Sequence, residues 1–137
     1  MDSTDFAYET FIRLSGTELC SYMEPRIAAS QLVILQDVAE RILSELPTYE
    51  EYHLVYALLL CNKLFPERVI PLLPTYLAHE RDSVCCTAMN LLDATPDDYL
   101  TDQIAESARL VRDAHSERAF LADVVDRLEK RHRRHRD

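Results

Sequence analysis

Few residues of this chain have types and spacings that could do chemistry. His79 and Glu80 stand just before the adjacent thiols Cys85 and Cys86. Such a set could hold a metal ion, or pair an imidazole with a nucleophilic thiol. The spacing fits none of the ligand patterns of structural or catalytic zinc, and no CxxC or HExxH occurs. A reactive thiol needs electropositive surroundings that stabilise the thiolate, whereas this chain is acidic. His53, His79 and His115 lie far apart. With one glycine, Gly16, a glycine-rich phosphate loop cannot be built. No catalytic residue, metal ligand or cofactor site is assigned, and an enzyme is not expected.

The paired carboxylates Asp97 and Asp98 have a helix-start explanation. Thr95 suits an N-cap, Pro96 a first helical residue, and Asp98 falls three after the cap. The stretch TYEEYHLVY (Thr48 to Tyr56) divides in the same way. Thr48 followed by Glu51 reads as a capping box, and Glu50 falls in a first turn where the helix dipole favours negative charge. Leu54, Leu58, Cys61 and Phe65 then form one apolar stripe, with Tyr49, Tyr52 and Tyr56 roughly opposite. The tyrosine face is either a second packing surface or an anchor for a protein partner. Asp82 reads as the cap of a further helix.

Helices are the elements that must position these residues. Single-glycine composition disfavours hairpin-rich sheets, and apolar residues recur at helical spacing along the chain. Segments are expected at about Ser3–Leu14, closed by Gly16; Thr17–Met23, before Pro25; Ala28–Leu46, with Leu32 and Leu35 on its apolar face; and Tyr49–Phe65. Further helices are expected from Pro66 to His79, kinked or tightened by Pro71 and Pro74; Asp82–Leu92; Thr95–Asp113; and Ser116–Arg133. Apolar positions repeat between them. Ala39 and Leu43, Leu73 and Leu77, and Ile104 and Ala108 correspond at steps of 34 and 31 residues, as do Ala57, Ala88 and Ala122. A two-helix unit repeating at this period is the mark of an α-solenoid; the alternative is an irregular helical bundle.

The chain carries a formal charge of −9, unevenly spread. Residues 1–126 hold 22 acids against 9 bases, and residues 127–137 hold 6 bases against 2 acids. An acidic body repels nucleic acid and anionic membranes and attracts basic partners, and the same acidity serves solubility. The basic run over 130–137 reads as a frayed tail that complements a helix dipole; contact with nucleic acid or with the acidic body are its other readings. Cys20, Cys61, Cys85 and Cys86 lack a disulfide or metal pattern, as in reduced cytoplasmic proteins. The start shows no secretory signal, and the longest apolar run, Leu54 to Cys61, is too short for a membrane span.

The segment VIPLLPTYLAHERDSVCCTAMNLL (Val69 to Leu92) resembles a HEAT repeat: a proline-bearing first helix, an acidic turn, then Asp82-Ser83-Val84 leading to an alanine and paired leucines. Cys85 stands where that pattern commonly has arginine. The resemblance implies an all-α fold of seven to eight helices in antiparallel hairpins, a right-handed HEAT-like solenoid over a single domain, 1–137. It also implies a binding scaffold. In size, acidity and helical build the chain resembles the immunity proteins of bacterial toxin–immunity pairs, such as those of contact-dependent growth inhibition. That resemblance implies a cytoplasmic protein, monomeric when free, that neutralises a basic, nuclease-type toxin domain by covering its active site. The residues expected to contact such a partner are Tyr49, Tyr52, Tyr56, Glu80, Asp82, Asp93 and Glu117. A scaffold or adaptor subunit using the same surface is the first alternative, and an enzyme built around Cys85, Cys86 and His79 the second.

Overall fold

Every regular element of the computed structural model is helical, as expected, and no strand occurs among the described residues. These are residues 6–29, 32 and 34–136, with the side chains of His135 and Arg136 left out. The chain divides into two compact units, Met1–Leu64 and Phe65–Asp137. None of the helices described is long and apolar enough to cross a membrane.

The first unit holds α1 (Tyr8–Arg13), α2 (Gly16–Ala28), α3 (Gln36–Ser44) and α4 (Glu51–Leu64). Its core joins Phe11, Leu19 and Met23 to Ile42, Leu46, Leu54, Leu58 and Cys61, all buried. Burying a side chain such as Phe11 contributes about 1.5–3 kcal/mol relative to leaving it in water. Polar contacts then fix the short α1. The His53 Nε2 lies 3.1 Å from the Phe11 carbonyl oxygen, and the Tyr8 hydroxyl donates to Glu45 at 2.9 Å. Gly16, where the chain turns from α1 into α2, has φ 55°, the left-handed region that glycine adopts without steric cost.

Two expectations for this unit are corrected. Helix α2 runs on through Pro25 to Ala28, because proline near a helix end removes only one donor from the last turn. Helix α3 begins at Gln36; Leu32 lies outside it, and Leu35 is extended and 74% exposed. The apolar run before Gln36 satisfies helical spacing over too few residues to be told from extended chain.

The second unit opens with α5 (Pro66–Val69), a 3₁₀ turn (Ile70–Leu72) and α6 (Leu73–Tyr76). Pro71 and Pro74 each lack a backbone donor, so the expected helix is tightened into three short pieces. There follow α7 (Asp82–Ala94), a 3₁₀ turn (Asp97–Tyr99), α8 (Asp102–Ala114) and α9 (Ala119–Arg136). Helix α6 packs on α7 and on α8, while α9 packs on α8 and on α7. Two hairpins are therefore stacked, first helix on first and second on second. The core is Leu73, Leu77, Val84, Ala88, Leu92, Ile104, Ala108, Leu121 and Val125, all buried.

The start of α8 is corrected too. Thr95 is buried, and its hydroxyl donates to the Leu91 carbonyl at 2.7 Å, so it closes α7 instead of opening α8. The cap of α8 is Thr101, whose hydroxyl oxygen accepts from the Ile104 N–H at 3.3 Å. Asp82 is the first residue of α7, and no side chain caps that helix.

Candidate functional site

In the first unit the three tyrosines do not form one face. Tyr49 precedes α4, half-buried, with its ring 5.5 Å from Phe11 and edge-on to it. Burial, reinforced by the Glu45 carboxylate, pushes its hydroxyl well above the usual tyrosine range. Tyr56 is half-buried, and burial with a contact to the Cys20 thiol raises its hydroxyl to about 12. Tyr52 alone stands open, 56% exposed. Tyr49 and Tyr56 are thus partly packed, and Tyr52 is the one of the three that faces solvent. The stripe opposite is as expected over Leu54, Leu58 and Cys61, which are buried. Thr48 does not stand at the cap position of α4: the helix starts at Glu51, and the Thr48 hydroxyl donates back to the Glu45 carbonyl at 2.6 Å.

In the second unit, Glu80 and Asp82 are exposed at the turn into α7, and Glu117 is exposed in the turn before α9. Arg118 brings these turns together. Its Nη1 donates to the His79 carbonyl at 2.8 Å and lies 3.4 Å from the Cys85 Sγ. Asp93 stands at the far end of α7, roughly 16 Å from Asp82 along the axis at about 1.5 Å per residue. It pairs with Arg127 at 3.2 Å. The expected acidic contacts therefore separate into Glu80, Asp82 and Glu117 at one end and a paired Asp93 at the other. Neither Glu80 nor Asp82 makes an ion pair among the described residues.

In the histidine–cysteine neighbourhood the side chains of His79 and Cys85 each bond to backbone groups. The Cys85 thiol donates to the backbone carbonyl of His79 at 2.9 Å, and the His79 Nδ1 accepts from the Arg81 N–H at 3.0 Å. Burial pushes the Cys85 thiol up despite the nearby Arg118, which disfavours the thiolate. No group of three or more His, Cys, Asp or Glu side chains is placed to hold a metal ion among the described residues. The four cysteines are thiols, with Cys86 exposed.

The stacked hairpins also build a groove that no motif announces. Asp82, Cys85, Cys86 and Met89 of α7, with Phe120 of α9, line an open, largely apolar space of about 380 Å³. The i, i+3, i+4, i+7 spacing on α7 is visible in the sequence, but the facing Phe120, 41% exposed, is supplied by the stacking of the second hairpin.

The basic run belongs to α9, which continues to Arg136. Arg131 donates to the carbonyls of Leu92, Asp93 and Thr95 and to the Asp97 carboxylate. His132 is buried, its Nε2 at 2.6 Å from an Asp102 oxygen. Arg133 and Arg134 remain exposed.

No protein-family model matches the chain, and neither a curated protein nor a solved structure shows significant similarity to it.

Proposed function

We propose that the chain is a protein-binding module for a basic partner, and specifically an immunity protein that neutralises a nuclease-type toxin domain by covering its active site in the cytoplasm. The observation that supports this reading is the pairing of an open apolar groove with carboxylates at its end. Apolar surface supplies contact area, and carboxylates at its rim attract a basic surface and steer its approach. Carboxylates on an inhibitor can also occupy the places that nucleic-acid phosphates take on a nuclease.

A scaffold or adaptor subunit is the second reading, supported by the stacking of α6 and α7 on α8 and α9. Stacked helical hairpins build extended surfaces suited to several kinds of partner.

The experiment is affinity capture of the chain from its native host, identification of bound proteins, and co-expression of each with and without the chain. A captured basic protein that is toxic alone and harmless with the chain supports immunity. A captured protein with no toxicity supports the scaffold, and capture of none under low-salt conditions removes both.

A further inference from the structure

The groove between α7 and α9 combines three properties in one place. Its walls are apolar and adaptable: Met89 carries a flexible thioether, and Phe120 is an aromatic ring 41% exposed. Its α7 end carries Asp82, and Asp123 follows one turn after Phe120 on α9; neither makes an ion pair among the described residues. Two cations, Arg81 and Arg118, also stand at this end, Arg81 exposed beside Asp82. Arg118 turns inward to the His79 carbonyl, and Arg112 of α8 reaches Asp113 and Asp126. The exposed carboxylates of Glu80, Asp82, Glu117 and Asp123 outnumber the cations Arg81 and Arg118, so the groove is apolar inside and carries a net negative charge around this end.

We infer that this groove seats a basic amphipathic helix of a partner protein. A leucine or aromatic side chain of that helix enters between Met89 and Phe120, and an arginine or lysine one turn away meets Asp82. Residues three and four apart on a helix share a face, which is the spacing needed to present an apolar anchor and a cation together. An anionic lipid surface does not fit, because the rim carboxylates repel it. The inference rests on the reading of the chain as a protein-binding module with a basic partner, and adds the place and chemistry of the contact.

The test uses the full chain and a fluorescent synthetic helical peptide with leucine and tryptophan on one face and arginine and lysine on the other. Anisotropy titration is expected to give saturable binding. Phe120→Ala and Asp82→Lys should each weaken it about tenfold or more, as for a buried anchor and its charge partner. Leu110→Ala, at an exposed leucine of α8 away from the groove lining, should leave it unchanged, and circular dichroism checks that each variant is folded. Bound peptide should also slow alkylation of Cys86. Equal binding of a peptide with glutamate in place of its cations overturns the inference, as does an equal loss with Leu110→Ala or an unprotected Cys86. If a native partner is captured equally by wild type and by both groove variants, the groove assignment falls and the binding-module reading stands. If the groove binds the peptide and no native partner is captured, the module reading falls and the groove chemistry stands.

Discussion

Asp93 and Arg127 are joined at 3.2 Å across 34 residues of sequence, and Asp97 and Arg131 are joined at 2.8 Å across the same interval. Equal intervals mean that α9 runs alongside α7 in the same direction. Arg118 at the start of one meets Cys85 near the start of the other, and Arg131 meets the far end. The two hairpins are in register, and side chains on consecutive second helices hold that register.

These two arginines should differ sharply in weight. Arg127 and Asp93 are each about half exposed, and such pairs contribute about 0–1 kcal/mol. Arg131 is largely enclosed and satisfies three backbone carbonyls as well as Asp97. Arg131→Ala is expected to cost about 2–3 kcal/mol because several charged hydrogen bonds, two of them to the part-buried carbonyls of Leu92 and Thr95, are lost, and Arg127→Ala under about 1 kcal/mol. Urea unfolding followed by circular dichroism measures both, and equal losses would show that Arg131 is no clamp.

The cysteines should react in a fixed order. Cys86 is exposed, whereas the Cys85 thiol is buried, donates to the His79 carbonyl and is raised by burial. Alkylation of the native protein near neutral pH, read by peptide mass spectrometry, should modify Cys86 well before Cys85. Cys86→Ser should remove the fastest phase. Early modification of Cys85 would mean that the start of α7 opens readily.

Gly16→Ala isolates a backbone effect. Gly16 has φ 55°, and no neighbouring atom lies within 4 Å of the place a methyl group would occupy. The cost is therefore that of a left-handed residue, about 1–2 kcal/mol for alanine and less for asparagine, which tolerates that region. Thermal unfolding of Gly16→Ala and Gly16→Asn should place both below wild type, with alanine the lower.

Alkaline pH should loosen the first unit. Tyr49 and Tyr56 keep their protons in the folded state above the range where an unfolded tyrosine, near 10, releases its own; Tyr56 is raised to about 12. Across that window the folded state holds more protons than the unfolded one, so stability falls as pH rises. The contribution is complete below about pH 10 and is lost as pH climbs through the folded values. Thermal midpoints measured across this range should fall less steeply in Tyr56→Phe than in wild type, and identical slopes would place the effect on other groups.

The all-α class and the apolar register were readable from the sequence because buried residues recur at helical spacing. Ala39, Leu43, Leu73, Leu77, Ile104 and Ala108 are all buried. On α9 the alignment failed at Ala122, which is exposed beside the buried Leu121, and held at Val125, which is buried. A small residue tolerates either environment, so alanine alignment decides little. Capping patterns misled at Thr48 and Thr95, because a threonine hydroxyl can close the preceding helix as readily as open the next. The tyrosine face dissolved for a related reason. Periodicity places Tyr49 on α4, but the helix starts at Glu51 and leaves Tyr49 to pack on Phe11. The groove escaped notice because Phe120 faces α7 only through tertiary stacking.

The Arg131 clamp also ties the end of α7 to a distant part of the chain. The carbonyls of Leu92, Asp93 and Thr95 receive their guanidinium from a residue 36 to 39 positions further along the chain. Helices α6 and α7 pack as neighbours in sequence, whereas the end of α7 depends on the distant α9 for the guanidinium that bonds its carbonyls. Closing that longer loop comes at an entropic cost before its contacts are gained. Any form of the second unit in which α9 is undocked leaves these carbonyls to water and exposes the α7 face that α9 covers.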